Sequence, residues 1–234
     1  MAAHTVDVYA FFVNGAHPSI NISRVKQDIS RANEAWRGCI KFVLKDIYFS
    51  KTNLIVHAHS IPSKQVFKNE QINSIFKAAR KAAGHKTAIY VLYVSGDSLA
   101  KGRGKRVVGV GGTELVHFNS GTDYELFGRI LLTDGAVGRY TMAHEFGHIL
   151  FKRYNAAQNA FTHDDPSGPY IHSQTRRRDA AHNNDRNNLM FPISPSVNPI
   201  ITAQQCQTVR RSKIAKVQND KIVKEFKWRN VHFF

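Results

Sequence analysis

The stretch Thr141-Met142-Ala143-His144-Glu145-Phe146-Gly147-His148-Ile149-Leu150-Phe151 contains one H-E-x-x-H, and the rest of the chain is read outward from it. On a helix, His144 and His148 stand one turn apart on the same face, with roughly 5 to 6 Å between Cβ atoms, so both imidazoles can reach a single Zn²⁺. Glu145 lies on the flank of that face, where a carboxylate takes a proton from water instead of binding the metal itself. Met142, Phe146, Ile149 and Leu150 make the other side apolar, as a helix backed against a core requires. The turn from Gly135 to Gly138 supplies a loop in which the helix can start. So short a motif also arises by chance, and its meaning depends on its surroundings.

Hydrophobic residues make up 42% of the 234-residue chain, enough to bury the core of one domain with elaborations. No apolar run approaches the roughly 18 residues of a membrane span, and Met1-Ala2-Ala3-His4-Thr5-Val6-Asp7 lacks the basic start and apolar stretch of a secretory signal. Cys39 and Cys206 are too few for a disulfide framework, and two separate buried thiols are expected. The charge is unusual: 33 Lys and Arg against 17 Asp and Glu give +16. Such a field favours acidic partners, whether an acidic protein substrate, nucleic acid, anionic lipid or a cell-wall polymer. The clusters at 101–106, 176–178 and 210–211 are not interleaved with aromatics as a base-stacking platform would be. With the tail from Lys221 to Arg229, they read as solvated surface rather than a dedicated nucleic-acid site.

In chain order, Thr5 to Val13 reads as a buried strand that stops at Asn14-Gly15. Val25, Ile29, Ala32 and Trp36 recur at helical spacing, and Ile40 to Phe49 is a second strand, so a right-handed crossover and a parallel pair are expected. A short strand is expected over Leu54 to His59, with His57 and His59 at the surface. An amphipathic helix follows through Ile72, Ile75, Phe76 and Ala79, ending at Gly84. Ala88 to Val94 is a further buried strand. The Gly102-x-Gly104 loop has no helix start behind it, so it is a poor phosphate loop. Val107 to Phe118 is a strand interrupted by Gly109, Gly111 and Gly112, which marks a bulge or the close approach of another backbone. Arg129 to Thr133 is one more strand, leading into the motif helix. Downstream, Thr202-x-x-Gln205 is a capping box, with Ile201 and Cys206 available as a hydrophobic staple, so a helix starts there.

A catalytic zinc site needs a third protein ligand and leaves the fourth position open. The compact motif H-E-x-x-H-x-x-G-x-x-H is absent, because Phe151 and Tyr154 stand where Gly and His are required. Downstream, His163, His172 and His182 are the candidates for third ligand. His182 begins the segment His182-Asn183-Asn184-Asp185-Arg186-Asn187-Asn188-Leu189-Met190-Phe191-Pro192. This segment resembles the run of matrixin-type metzincins from the third zinc histidine to the methionine turn, with Arg for Pro and Phe for Tyr. The order of expected elements is also similar to that family. Two departures stand out: residues 152–181 form an insertion before His182, and Pro192 occupies the position where some metzincins carry a tyrosine.

The resemblance implies an α+β, metzincin-like zincin, with a twisted mixed five-stranded sheet, an active-site helix and a C-terminal helix. The catalytic domain would run over 1–217, with residues 1–151 above the cleft, the insertion 152–181, and residues 182–217 below it, followed by a basic tail 218–234. It implies a zinc endopeptidase acting on protein or peptide substrates, with Zn²⁺ on His144, His148 and His182, Glu145 as base and Met190 under the site. His163 is the alternative third ligand. The edge formed by Gly109, Val110, Gly111 and Gly112 would take an extended substrate, and Ile193 to Ile200 would bound a side-chain pocket. The family also favours a secreted protein, selective for one target or acting as an effector. The competing reading is a basic module that binds nucleic acid or another polyanion around a structural zinc, which needs a fourth ligand and so both His163 and His182.

Overall fold

Between Val6 and Phe12 all but one side chain of the first strand is buried, as befits a strand covered on both faces. The computed structural model describes residues 3–13, 18–50, 56–100, 106–121, 123–193, 195–218 and 231–233. In chain order the elements are β1 (Ala3–Phe12), α1 (Pro18–Ala35), β2 (Lys41–Phe49), α2 (Glu70–Ala82), β3 (Ile89–Tyr93), β4 (Gly109–Ser120), β5 (Asp123–Leu132) and α3 (Thr141–Leu150). They continue with β6 (Arg153–Asn155), β7 (Ala160–Thr162), β8 (Tyr170–Ile171), β9 (Arg178–Asp179), α4 (Ala203–Arg210), β10 (Lys216–Gln218) and β11 (Val231–Phe233). The fold is α+β, with a mixed main sheet in the order β11-β2-β1-β3-β5-β4 and β10 paired with β1.

The strand, helix, strand reading at the start holds, because β1 and β2 pair in parallel across α1. Period-two alternation along β1 divides the core. Val6, Val8, Ala10 and Phe12 face the layer that contains Trp36, Phe146 and Met190. Tyr9, Phe11 and Val13 face the α2 layer of Ile72, Ile75, Phe76 and Ala79. β4 runs antiparallel to β5 and forms one edge of the sheet.

Several expectations are corrected. The sheet has seven strands rather than five, because β10 lies antiparallel to the start of β1 and β11 runs parallel to β2. The boundary drawn at 217 therefore falls inside β10, and the tail returns to the sheet. No strand spans His57 to His59: His57 makes a single bridge to Ser95, and a 3-10 turn covers Ala58–Ser60. Leu54, Ile55 and most of the glycine-rich loop 101–106 lie outside the described residues, as does Lys221 to Arg229.

The cysteines are also corrected. Cys39 and Cys206 are joined in a disulfide across 167 residues, so Cys206 serves α4 as a covalent anchor rather than as half of an apolar staple. The expected capping box of Thr202 and Gln205 is present. Arg210, in the last turn of α4, donates from Nε to the Cys39 carbonyl at 3.0 Å and from Nη2 to the Gly38 carbonyl. The turn after α1 is thereby tied to α4 twice, by sulfur and by guanidinium. A bridge closing so long a loop restricts the unfolded chain strongly. Cys39→Ser is expected to lower unfolding free energy by about 2–5 kcal/mol in urea titrations without reductant.

Candidate metal centre

α3 is held from below by buried contacts on its apolar side. Trp36 donates its indole N–H to the Ala143 carbonyl at 3.0 Å, and the rings of Phe42 and Phe146 stack with centroids 4.0 Å apart. Those contacts fix the rotation of the helix, and with it the face that carries His144 and His148. The two imidazoles approach with Nε2 atoms 3.0 Å apart. His182, thirty-four positions beyond His148, brings a third ring into the group, and the candidate ligand atoms of all three lie within 4.8 Å of one another.

The second nitrogen of two of these rings is committed. His144 Nδ1 donates to the Leu189 carbonyl at 2.7 Å, and His182 Nδ1 to Asp179 Oδ2 at 2.9 Å. A carbonyl or carboxylate oxygen only accepts, so both Nδ1 atoms carry a proton, which in the neutral ring leaves the lone pair on Nε2. Burial, followed by the neighbouring His182 ring, brings His144 down to about 4 against the raising effect of the Leu189 carbonyl. Burial and then the other two rings hold His148 well below the ordinary histidine value. Neutral imidazoles with converging lone pairs suit a borderline cation such as Zn²⁺, and second-ring bonds to carbonyl and carboxylate are the usual means of orienting such ligands. The residues fit a metal.

Glu145 is buried beside them, and its Oε2 accepts from the Gly111 N–H at 2.6 Å. Burial raises its carboxyl to about 7, with the Gly111 bond acting in the opposite direction. The glycines of β4 now have a cause. A Cβ on Gly111 would stand 2.8 Å from the Glu145 carbonyl oxygen, and one on Gly109 would stand 2.5 Å from Thr141 Cγ2. They let the edge strand lie directly over α3. Gly112, on the other side of the strand, makes room for the Phe67 ring. Gly109 to Thr113 form one wall of a cleft of about 610 Å³; the other lining groups include His144, Glu145, His148, Lys152, His163, Asp179, His182 and Pro192.

Met190 is fully buried under the site, and a Cβ on Gly147 would overlap its sulfur. The turn that carries Met190 is fastened by buried side chains. Asn188 Nδ2 donates to Gln205 Oε1 at 3.0 Å, and Gln205 Nε2 donates to Asn188 Oδ1 at 2.9 Å and to Asp165 Oδ2 at 2.8 Å. Asn183 Nδ2 reaches Asp165 Oδ2 at 3.3 Å. The segment 152–181 is therefore structural: it supplies Asp165 to this network and Asp179 to His182. Its hairpin β6-β7 docks through Tyr154 and Phe161 on Phe118 of β4.

Of the other candidates, His163 lines the cleft but lies outside the three-histidine group, and His172 accepts from the Thr175 N–H at 3.3 Å away from the site. The loop after Pro192 leaves Ile193 and Val197 exposed, and only Pro192 of that segment lines the cleft among the described residues. Sequence reasoning missed Gly147, Asp165, Asp179 and Gln205 as members of the site. The one local signal was a carboxylate three positions before a ligand histidine, Asp179-x-x-His182. No family model and no curated protein sequence matches the chain.

Two outcomes follow from this geometry. In Zn²⁺ titrations, Asp179→Ala weakens binding by about 10- to 100-fold, His182→Ala weakens it further, and His163→Ala leaves it intact. The second concerns acid. An unfolded histidine titrates near 6.5 while folded His144 stays neutral to about 4, so between those values the unfolded state binds the extra proton. In the metal-free protein the contribution of His144 to stability is full above about pH 6.5 and is lost as the pH falls toward 4, measured as the difference in urea midpoint between the unmutated protein and His144→Gln across that range.

Proposed function

We propose that this chain is a metzincin-like zinc endopeptidase. The observation that carries the proposal is the convergence of His182 on the two helix histidines, with the Glu145 carboxylate beside them in an open cleft. His144, His148 and His182 would hold Zn²⁺, which supplies Lewis acidity and makes water a competent nucleophile at neutral pH. Glu145 is the proton carrier. Its buried carboxyl, raised to about 7, can both accept the water proton and return it to the departing amine near neutral pH. The Gly111 N–H holds Oε2 in place, so the carboxylate is positioned before substrate arrives.

β4 is the natural template for substrate. It ends the sheet, its glycines line the cleft, and an extended peptide can add to such an edge by main-chain hydrogen bonds. The element order, with an antiparallel edge strand above the motif helix, further supports the metzincin resemblance. The basic surface favours an acidic protein substrate, and the Cys39–Cys206 bridge accords with an oxidising compartment, as for a secreted, selective protease or effector.

The competing reading, a polyanion-binding module around a structural zinc, needs a fourth protein ligand. His163 is the candidate for that ligand, and among the described residues it lies outside the metal-binding group. The test is metal content by mass spectrometry with cleavage of a mixed peptide library. One zinc per chain is expected in both the unmutated protein and Glu145→Ala, with kcat about 10²- to 10⁴-fold lower in the variant. Equal cleavage by the two proteins would remove Glu145 from the mechanism. Gly111→Ala is expected to cut activity as well, because its methyl displaces Glu145, while zinc is retained.

A further inference from the structure

His144, His148 and Lys152 are spaced four apart, so they form one row along the helix and its exit. Lys152 follows the last turn of α3 directly, and its N–H donates to the Ile149 carbonyl at 3.2 Å. Phe151 before it is fully buried, and Arg153 after it donates from Nη1 to the Phe151 carbonyl at 2.9 Å and to the Asp164 carbonyl at 3.1 Å. The backbone that carries Lys152 is thus pinned on both sides, and the side chain lines the cleft beside the three histidines.

Lys152 is half-buried, and among the described residues no carboxylate lies within 4.0 Å of its ammonium. Its ammonium instead faces the ring of Phe161, with Nζ 5.6 Å from the centroid. Arg80 is likewise half-buried over a ring, that of Phe127, but it does not line the cleft, and two further cations are paired. Arg24 pairs with Asp28 and Asp134, and Arg129 with Glu114. The two carboxylates lining the cleft are committed: Glu145 accepts from Gly111, while Asp179 accepts from His182 and from the Ala181 N–H. His163 lines the same cleft, and burial, followed by the charge of Lys152, lowers its pKa. A desolvated ammonium without a counter-charge is costly, and an incoming anion removes that cost.

We infer that Lys152, with the His163 ring as a second donor, forms the subsite of this cleft that binds the side-chain carboxylate of a substrate aspartate or glutamate beside the scissile bond. The inference rests on the endopeptidase reading. It makes Lys152 the selector for acidic sequence at the site, where the general positive charge of the surface only attracts acidic proteins from a distance.

The test has a cleavage arm and a binding arm. In the first, the zinc-loaded protein cleaves a mixed peptide library, and matched peptides differing by Glu or Gln at the selected position are compared. The expected ratio of kcat/KM is about tenfold or more in favour of Glu, as a charge-assisted hydrogen bond provides. Lys152→Met brings the ratio to about one, Lys152→Arg keeps the preference for Glu, and Lys152→Glu turns it toward peptides carrying Lys. In the second arm, zinc-loaded Glu145→Ala binds fluorescent Glu-containing and Gln-containing peptide mixtures, read by anisotropy, with and without Lys152→Met. Tighter binding of the Glu mixture that disappears with Lys152→Met is expected.

Cleavage with no acidic preference, or a preference that survives Lys152→Met, overturns the subsite and leaves the peptidase intact. A Lys152-dependent binding preference with no cleavage by the unmutated protein upholds the subsite and overturns the peptidase. Equal binding of both mixtures without cleavage overturns both.

Discussion

The hydrogen bond from His144 Nδ1 to the Leu189 carbonyl is the join on which this molecule depends. A helix by itself delivers two imidazoles one turn apart, but the third ring comes from a loop distant in sequence and has to be held against that helix. The bond does this while fixing the tautomer of His144. Beneath it, Met190 fills the space left by Gly147, so turn and helix meet through packing as well as through a polar contact. Both would be ineffective on a loose loop. The Asn188–Gln205–Asp165 network makes the turn rigid, and Gln205 also accepts from the Thr202 N–H to cap α4. One amide side chain thereby ties the insertion, the turn and the start of the last helix together.

Electrostatics follow from that packing. The chain carries a large excess of positive charge, yet His144 and His148 are driven toward the neutral form by burial and by the neighbouring rings. A cation bound there would meet little competition from protons at these two rings. The same burial acts with the opposite sign on Glu145, where it favours the protonated acid. One desolvated pocket therefore moves the histidines and the carboxyl in opposite directions.

What could be read from the sequence divides by the range of the interactions concerned. The motif helix, the first crossover and the capping box are local patterns, and each appears where its spacing placed it. His182 was reachable because its segment is a linear motif. The disulfide was not, because nothing near Cys39 or Cys206 signals that α4 packs under the turn after α1. The work of residues 152–181 was equally hidden. Asp165 looks like an ordinary loop acid until its partners arrive from 18 and 40 positions away, and Asp179 until the next turn of chain brings His182 onto it. The run before His59 has strand composition, but among its described residues, 56–59, only His57 makes a bridge, so there tertiary context overrode propensity.

The two margins of the main sheet have different fates. β11 lies along β2, so on that side the chain's own tail occupies the row of main-chain donors and acceptors. β4 has no such cover among the described residues. An uncovered strand margin invites pairing with any extended chain, including another copy of itself. The edge that remains on the β2 side belongs to the three-residue β11, whereas β4 presents twelve residues. Among the described residues the longer bare ladder therefore lies above the histidines, where self-association and, on the proposed reading, capture of an extended peptide would compete.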